Sequence, residues 1–162
     1  ERLGKRLNIQ VDGIFAAGLL HDVGKVALDC VAPREFAQAV VKARTEKRFL
    51  RETEPDLFGM DHAQVGGHLA LHWNFPEPIV EAVQRHHQPD DDSPNRTLVA
   101  LAAMADFITY QAGYPEGGNG RDAEFPETAA KILNIDADVV AQVADDIRAA
   151  DSRIEAILSV LQ

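Results

Sequence analysis

Apolar residues recur every three or four positions along nearly the whole chain, the spacing that turns one face of an α-helix toward a core. No run of β-branched residues alternates with period two, so the expectation is helix throughout. Residues 2–7 read as the end of a helix. Asp12 is then expected to cap a helix carrying Ile14, Phe15, Leu19, Leu20 and Val26, with Leu19 and Leu20 in the core. Pro33 suits the first turn of the next helix, with Phe36, Val40 and Val41 facing inward. Pro55 and Gly59 punctuate a loop, and Asp61 opens a helix through Val65, Leu69 and Trp73. After the turn Asn74-Phe75-Pro76, Pro78 starts a helix with Ile79, Val80 and Val83 that ends at His86-His87. Residues 88–95 form a polar, acidic loop, 98–110 a long Ala-rich helix and 113–122 another loop. Two helices follow, over 126–133 and over 139 to about 161, the second able to break near Ala150-Asp151. Its apolar stripe of Val139, Val143, Ile147, Ile154, Ile157 and Leu161 is expected to pack on the domain's own core rather than on a partner.

Length narrows this to one domain. A chain of 162 residues with 46% apolar content can bury a real core, and no repeat or linker divides residues 1–162. The lone cysteine, Cys30, cannot form an intrachain disulfide, which fits a reducing, cytoplasmic setting. No apolar run approaches the ~20 residues needed to span a bilayer, so no membrane partner is expected. The chain opens at Glu1 without an initiator Met or a signal-peptide pattern and reads as a fragment lacking upstream helices.

Charge excludes one function class. With 26 acidic residues against 16 basic, the net charge is −10. Nucleic-acid polymers are bound through clustered Lys and Arg, so none is expected as a partner. The basic residues concentrate only between Lys42 and Arg51, interleaved with Glu46 and Glu52, as on a solvated helix face.

Candidate chemistry appears where this pattern is broken. In "GLLHDVGK" (18–25), His21, Asp22 and Lys25 interrupt an apolar helix. His62, the doublet His86-His87, and Asp106 within "VALAAMADFI" likewise sit among residues that would bury them. Burying an unpartnered carboxylate costs several kcal/mol, on the order of a domain's net stability. A cation solves this economically, because it neutralises carboxylates and takes imidazole lone pairs together. Lys25 lies four residues after His21 and would share its helical face, while adjacent residues, about 100° apart, can border one cavity without stacking. A mixed N/O set of His21, Asp22, His62, His86, His87 and Asp106 suits one or two divalent ions of iron, manganese or zinc rather than an all-oxygen calcium or magnesium cage. Each residue also has a plainer reading: a hydrogen-bonded histidine, an imidazole at a helix C-terminus for His86-His87, an arginine partner for Asp106. His68 and His72 form an i, i+4 pair, but no Glu follows His68, so they read as structural or pocket-rim residues.

Taken together, "GLLHDVGKVAL", "FGMDHAQVGGHLALHWNFPEPIVEAVQRHHQP" and "ALAAMADFI" resemble the HD superfamily of metal-dependent phosphohydrolases, and within it the HDOD branch, the HD-related output domain of bacterial signalling proteins. The resemblance covers residues 10 to 112 and implies an all-α, HD-domain-like helical bundle. It implies that His21 and Asp22 match the eponymous doublet, with Asp22 bridging if two ions bind. His62, His86, His87 and Asp106 would match the remaining ligands, and Lys25 a lysine that faces substrate phosphate. A further ligand would come from upstream, in a Trp-x-His-Ser-like motif that this chain begins too late to carry. "GYP" at 113–115 spells a signature of the related HD-GYP branch at the wrong spacing, and reads as ordinary turn chemistry.

Two functions follow. The first is a regulatory output module with a retained metal site, whose partners are other signalling domains or proteins. The alternative is a metal-dependent phosphohydrolase acting on a nucleotide or cyclic dinucleotide. On that reading a divalent ion at Asp22 lowers the pKa of water, and Lys25 and the ion stabilise charge on the phosphoryl oxygens.

Overall fold

A computed structural model describes residues 2–114 and 118–160, with side chains described as far as Ala150. Pro115 of the Gly-Tyr-Pro stretch lies outside the described residues, as does Leu161. The chain forms α1 (Arg2–Arg6), α2 (Ile14–Leu20), α3 (Val23–Val31), α4 (Pro33–Glu46), α5 (Leu50–Thr53), α6 (Pro55–Phe58), α7 (His62–His72), α8 (Glu77–Arg85), α9 (Arg96–Gln111), α10 (Glu127–Leu133) and α11 (Ala137–Val160). No strand occurs among the described residues, and no helix is long and apolar enough to cross a membrane. The expected all-α bundle is the fold observed.

The bundle is built around α9. Its residues from Leu98 to Met104, then Phe107 and Ile108, are all buried, as expected of a helix that is apolar on nearly every side. One side packs with α10 and α11 through Ala129, Leu133, Val140 and Val143, and another packs with α2 and α8 through Ala17 and Ala82. Its alanines let these helices approach closely, and Asp106 is carried in their midst. The described part of the α11 stripe packs on this core through Val143 and Ile147, the side chains of Ile154 and Ile157 lie outside the described residues, and the helix continues unbroken past Ala150.

Several inward-facing assignments do not hold. Gly13 (φ 83), not Asp12, stands at the start of α2. The helix expected to run on through Val26 ends at Leu20, and Asp22 (φ −100, ψ 11) starts α3. Leu19 is 69% exposed, with Phe15 and Val26 also on the surface, and Leu20 is half-buried. On α4, Ala39 and Ala43 are buried while Val41 faces solvent. In each case small residues hold the interface and larger ones flank it. The Pro55–Gly59 region is not a plain loop but the helical turn α6, which follows directly on α5, and Thr53 and Glu54 at their junction are at 0% exposure.

The contact between α3 and α7 explains the change of direction at the doublet. A Cβ added at Gly24 would fall 1.9 Å from the His62 carbonyl oxygen and 2.8 Å from the Gly66 nitrogen. Only hydrogen fits, so the two backbones touch. This gives the first prediction. Gly24→Ala must push rigid backbone apart and should destabilise the fold by about 3 kcal/mol, the upper end of overpacking costs. Gly18→Ala, whose Cβ meets nothing within 4 Å, should be neutral or stabilise by about 0.5–1 kcal/mol through helix propensity. Urea unfolding of both variants beside the parent checks the contrast.

Candidate metal centre

Each candidate ligand stands at a helix boundary or on the central helix. His21 and Asp22 occupy the break between α2 and α3. His62 is the first residue of α7, held by a reciprocal cap in which the Asp61 side chain accepts from the Gln64 backbone N–H at 2.8 Å and Gln64 accepts from that of Asp61 at 3.0 Å. His86 and His87 end α8, and Asp106 projects from α9. The fold brings all of these together. Asp22, His62, His86 and His87 form one set of converging donor atoms, and His21, Asp22 and Asp106 a second, with Asp22 common to both.

The two oxygens of Asp22 divide the work. Oδ1 lies 3.4 Å from His62 Nε2 and 3.7 Å from His86 Nε2. Oδ2 lies 3.5 Å from His21 Nε2, which is also 3.5 Å from Asp106 Oδ1. His62 Nε2 and His87 Nε2 are 2.9 Å apart. Donors bound to one cation at about 2.1 Å and separated by 90–110° lie about 3.0–3.4 Å from one another, and these spacings, each within a few tenths of an ångström of that range, are compatible with an ion in each set.

Tautomers strengthen the case. His62 Nδ1 faces Glu54 Oε2 at 2.6 Å, His86 Nδ1 faces the Val83 carbonyl at 2.7 Å, and His21 Nδ1 faces the Gly18 carbonyl at 2.9 Å. A carbonyl or carboxylate can only accept, so Nδ1 carries the proton in all three rings and each neutral ring presents a bare Nε2 to the centre. Carboxylate oxygens wait there instead of donors. His21 Nε2, His86 Nε2 and Asp22 Oδ1 are accordingly buried without a hydrogen-bond partner. Lone pair facing lone pair in a dry interior is what a cation relieves. The mixed imidazole and carboxylate donors fit a borderline ion such as iron, manganese or zinc.

The electrostatics set which groups arrive ready. Burial pushes the pKa of Asp22 up, but Lys25, His21 and His62 outweigh it and hold the carboxyl well below its usual range. Burial, reinforced by the charges of His21 and His62, pushes His86 down to about 3. His87 is driven well below the ordinary imidazole value by burial, then by His86, His62, Arg51 and Lys25. Both therefore stay neutral at pH 7, the form that binds metal. For His21, burial opposes the charge, yet Asp106 and Asp22 prevail and raise its pKa.

Three features depart from the sequence expectation. Lys25 does not share a helical face with His21, because the helix breaks between them; its ammonium donates to Asp22 Oδ2 at 2.8 Å. Glu54 is a new participant. Fully buried, it accepts from both the backbone N–H and Nδ1 of His62, at 2.9 and 2.6 Å, and so orients that ring. The only sequence signal was an acidic residue one position before Pro55. The third is a cavity of about 240 Å³ opening onto His86, His87 and Asp106, with Arg51 in its wall. His68 and His72 are exposed and take no part in either donor set.

The HDOD domain model matches residues 1–89, the span that holds every residue named in the cluster except Asp106. Over 95 residues, covering 56% of this chain and 18% of the relative, the chain is 30% identical to an uncharacterized protein of Treponema pallidum. A solved structure from Marinobacter aquaeolei, described as a candidate signal transduction protein, superposes with TM-score 0.77 at 20% identity over 96% of this chain and 35% of that one. One from Shewanella amazonensis, described as a candidate phosphohydrolase, gives 0.65 at 22% identity over 90% and 54%. At these identities the two structures speak to the fold. The chain spans under a fifth of the curated relative and between a third and just over half of the solved chains.

The second prediction concerns Glu54. Removing the partner that orients a ligand histidine typically costs about 10–100-fold in metal affinity. Glu54→Ala should lose that much, and Glu54→Gln, which keeps an acceptor without the charge, should fall between. Competition against a chelator of known affinity reads the difference.

Proposed function

We propose, from the premise that this chain belongs to the HDOD domain family, that it is a signal-transduction output module whose His/Asp cluster holds one or two divalent metal ions. On this reading residues 1–162 act as one helical unit in the bacterial cytoplasm, and the partners are other signalling domains or proteins. The observation that carries the metal assignment is the convergence of bare imidazole nitrogens on the carboxylates of Asp22 and Asp106, with Asp22 Oδ1 buried and unpartnered. His62, His86, His87 and Asp22 Oδ1 would hold one ion, and His21, Asp106 and Asp22 Oδ2 a second. The first ion would tie the α2–α3 break to α7 and α8 and the second would tie it to α9, so metal binding would be coupled to the packing of these helices. The likeness in fold to a chain described as a candidate signal transduction protein supports the signalling assignment.

A second reading, a phosphohydrolase acting on a nucleotide or cyclic dinucleotide, is favoured by one feature: the cluster is open on one side to a cavity. A bound divalent ion would supply Lewis acidity and a more acidic water. The chain's own share is electrostatic. Lys25 keeps Asp22 ionised, His87 and His86 remain neutral beside it, and Asp106 closes the far wall.

Elemental analysis of protein purified without chelator is the third prediction's readout. One to two ions per chain are expected, Asp22→Ala should lose all of them, and Asp106→Ala only those of its own set. Metal-free parent protein would sink the assignment. Incubation of loaded protein with cyclic dinucleotides and nucleoside phosphates separates the two readings: turnover that Lys25→Ala reduces without loss of metal marks the enzyme, and none leaves the module.

A further inference from the structure

The wall of the cavity is acidic on balance. Asp106, Glu124 and Glu127 line it, against one cation, Arg51. Asp106 stands at the inner end, 3.5 Å from His21 Nε2. Glu124 and Glu127 are exposed and so mark the mouth. Arg51 is held to the wall by the ring of Phe49, 4.0 Å from its Cζ. Glu124 pairs with Arg121, whose guanidinium lies over the same ring at 4.6 Å. Carboxylates at both ends of a low-dielectric channel draw cations inward and repel anions.

The inner end offers what a cation seeks. His86 lines the cavity with its side chain at 0% exposure, and its Nε2 has no hydrogen-bond partner. The volume of about 240 Å³ has room for an ion with its shell of roughly six waters, each taking about 30 Å³ in the liquid. The mouth is also held in place. Phe125, next to Glu124, packs edge to face on Phe107 at 5.5 Å. Upstream, Gly120 donates its backbone N–H to the Arg48 carbonyl at 2.9 Å, and a Cβ there would fall 1.8 Å from the Ala43 carbonyl oxygen. The segment that carries the outer carboxylates is therefore pinned on both sides of Glu124. A second approach to the cluster, over the Asp22 side chain, which is 33% exposed, is less suited to a cation, because the Lys25 ammonium sits there, 2.8 Å from Oδ2.

We propose that this cavity is the loading route for divalent ions, with Glu124 and Glu127 as an electrostatic collar that passes them to Asp106 and the buried histidines. The proposal rests on the metal reading above and adds to it the path and the residues that set the rate. Neither collar residue belongs to a donor set, so their effect falls on how fast the centre fills rather than on how many ions it holds.

The test mixes chelator-stripped full chain with Zn²⁺ in stopped flow and follows unbound ion with a fluorescent indicator. Neutralising the collar, in the double variant Glu124→Gln with Glu127→Gln, should slow association roughly fivefold or more at low ionic strength. The deficit should shrink as salt screens the charges, with the release rate, the ion content at saturation and the unfolding midpoint as in the parent. Arg51→Gln, which removes the opposing charge, should speed association. Glu35→Gln with Asp138→Asn makes the same change in net charge at two exposed residues that do not line the cavity, and should leave the rate within about twofold of the parent, as expected of distant screened charges. Parent-like association by the collar variant, or Arg51→Gln that fails to speed it, overturns the route while normal ion content leaves the metal reading standing. An equal slowing by the control pair also overturns it, since net charge alone is then at work. A parent chain that takes up no Zn²⁺ overturns both.

Discussion

Everything at the centre depends on how closely α3 lies on α7. The Gly24 backbone sits where any side chain would strike the His62 carbonyl. That contact places Asp22, two residues before Gly24, within 3.4 Å of His62 Nε2. It also requires the chain to change direction at the doublet, since one continuous helix would carry Asp22 and Gly24 to different sides. Gly66 continues the contact along α7, where a Cβ would lie 2.9 Å from Val83 on α8, the helix that delivers His86 and His87. The donor set is thus assembled by backbone proximity across three helices. Its geometry is fixed by elements, not by adjustable side chains.

That assembly is costly in the absence of a cation. Buried imidazole nitrogens oriented by acceptors at Nδ1 point at carboxylate oxygens, and a half-satisfied polar network in a dry interior is less favourable than apolar packing. Lys25 offsets one oxygen of Asp22 and leaves the other unmatched. A chain selected only for stability would not hold this arrangement inside a bundle whose remaining interior is mostly aliphatic and aromatic. The core supplies the stability, and the cluster draws on it.

The sequence made the fold class and the cluster's members legible for different reasons. Helical periodicity is local, so the elements could be placed within a few residues. His21, Asp22, His62, His86, His87 and Asp106 stood out because each is a polar residue in apolar surroundings. Which large residues face inward was not legible: Leu19, Val26 and Val41 sit outside because Gly24, Ala39 and Ala43 permit close helix approach, and small residues give little hydrophobic signal. Lys25 could be related to His21 only by assuming an unbroken helix. Glu54 was hidden because it directly precedes the Pro55–Gly59 stretch, which has the composition of a loop. Arg51 was hidden because it ends a run of mixed charges that elsewhere, as at Arg48, is a solvated surface.

Both hidden residues come from one short stretch, and this bears on what the domain can do. Glu54 orients His62 from the end of α5, and Arg51 faces the cavity from the turn before it. The stretch is tied down on both sides. Leu50 donates its backbone N–H to Asn119 at 2.7 Å, and the Thr53 hydroxyl donates to the Ala39 carbonyl at 3.0 Å. One turn thus orients a candidate ligand histidine with one residue and lines the cavity with another. Coupling between the cluster and the cavity would require a physical element that both bias, and α5 is an element that touches both. A signalling module needs such a link between what it binds and how its helices pack, and an enzyme needs it to align substrate with ion. The same turn would serve either purpose, so the architecture around the cluster is compatible with both activities.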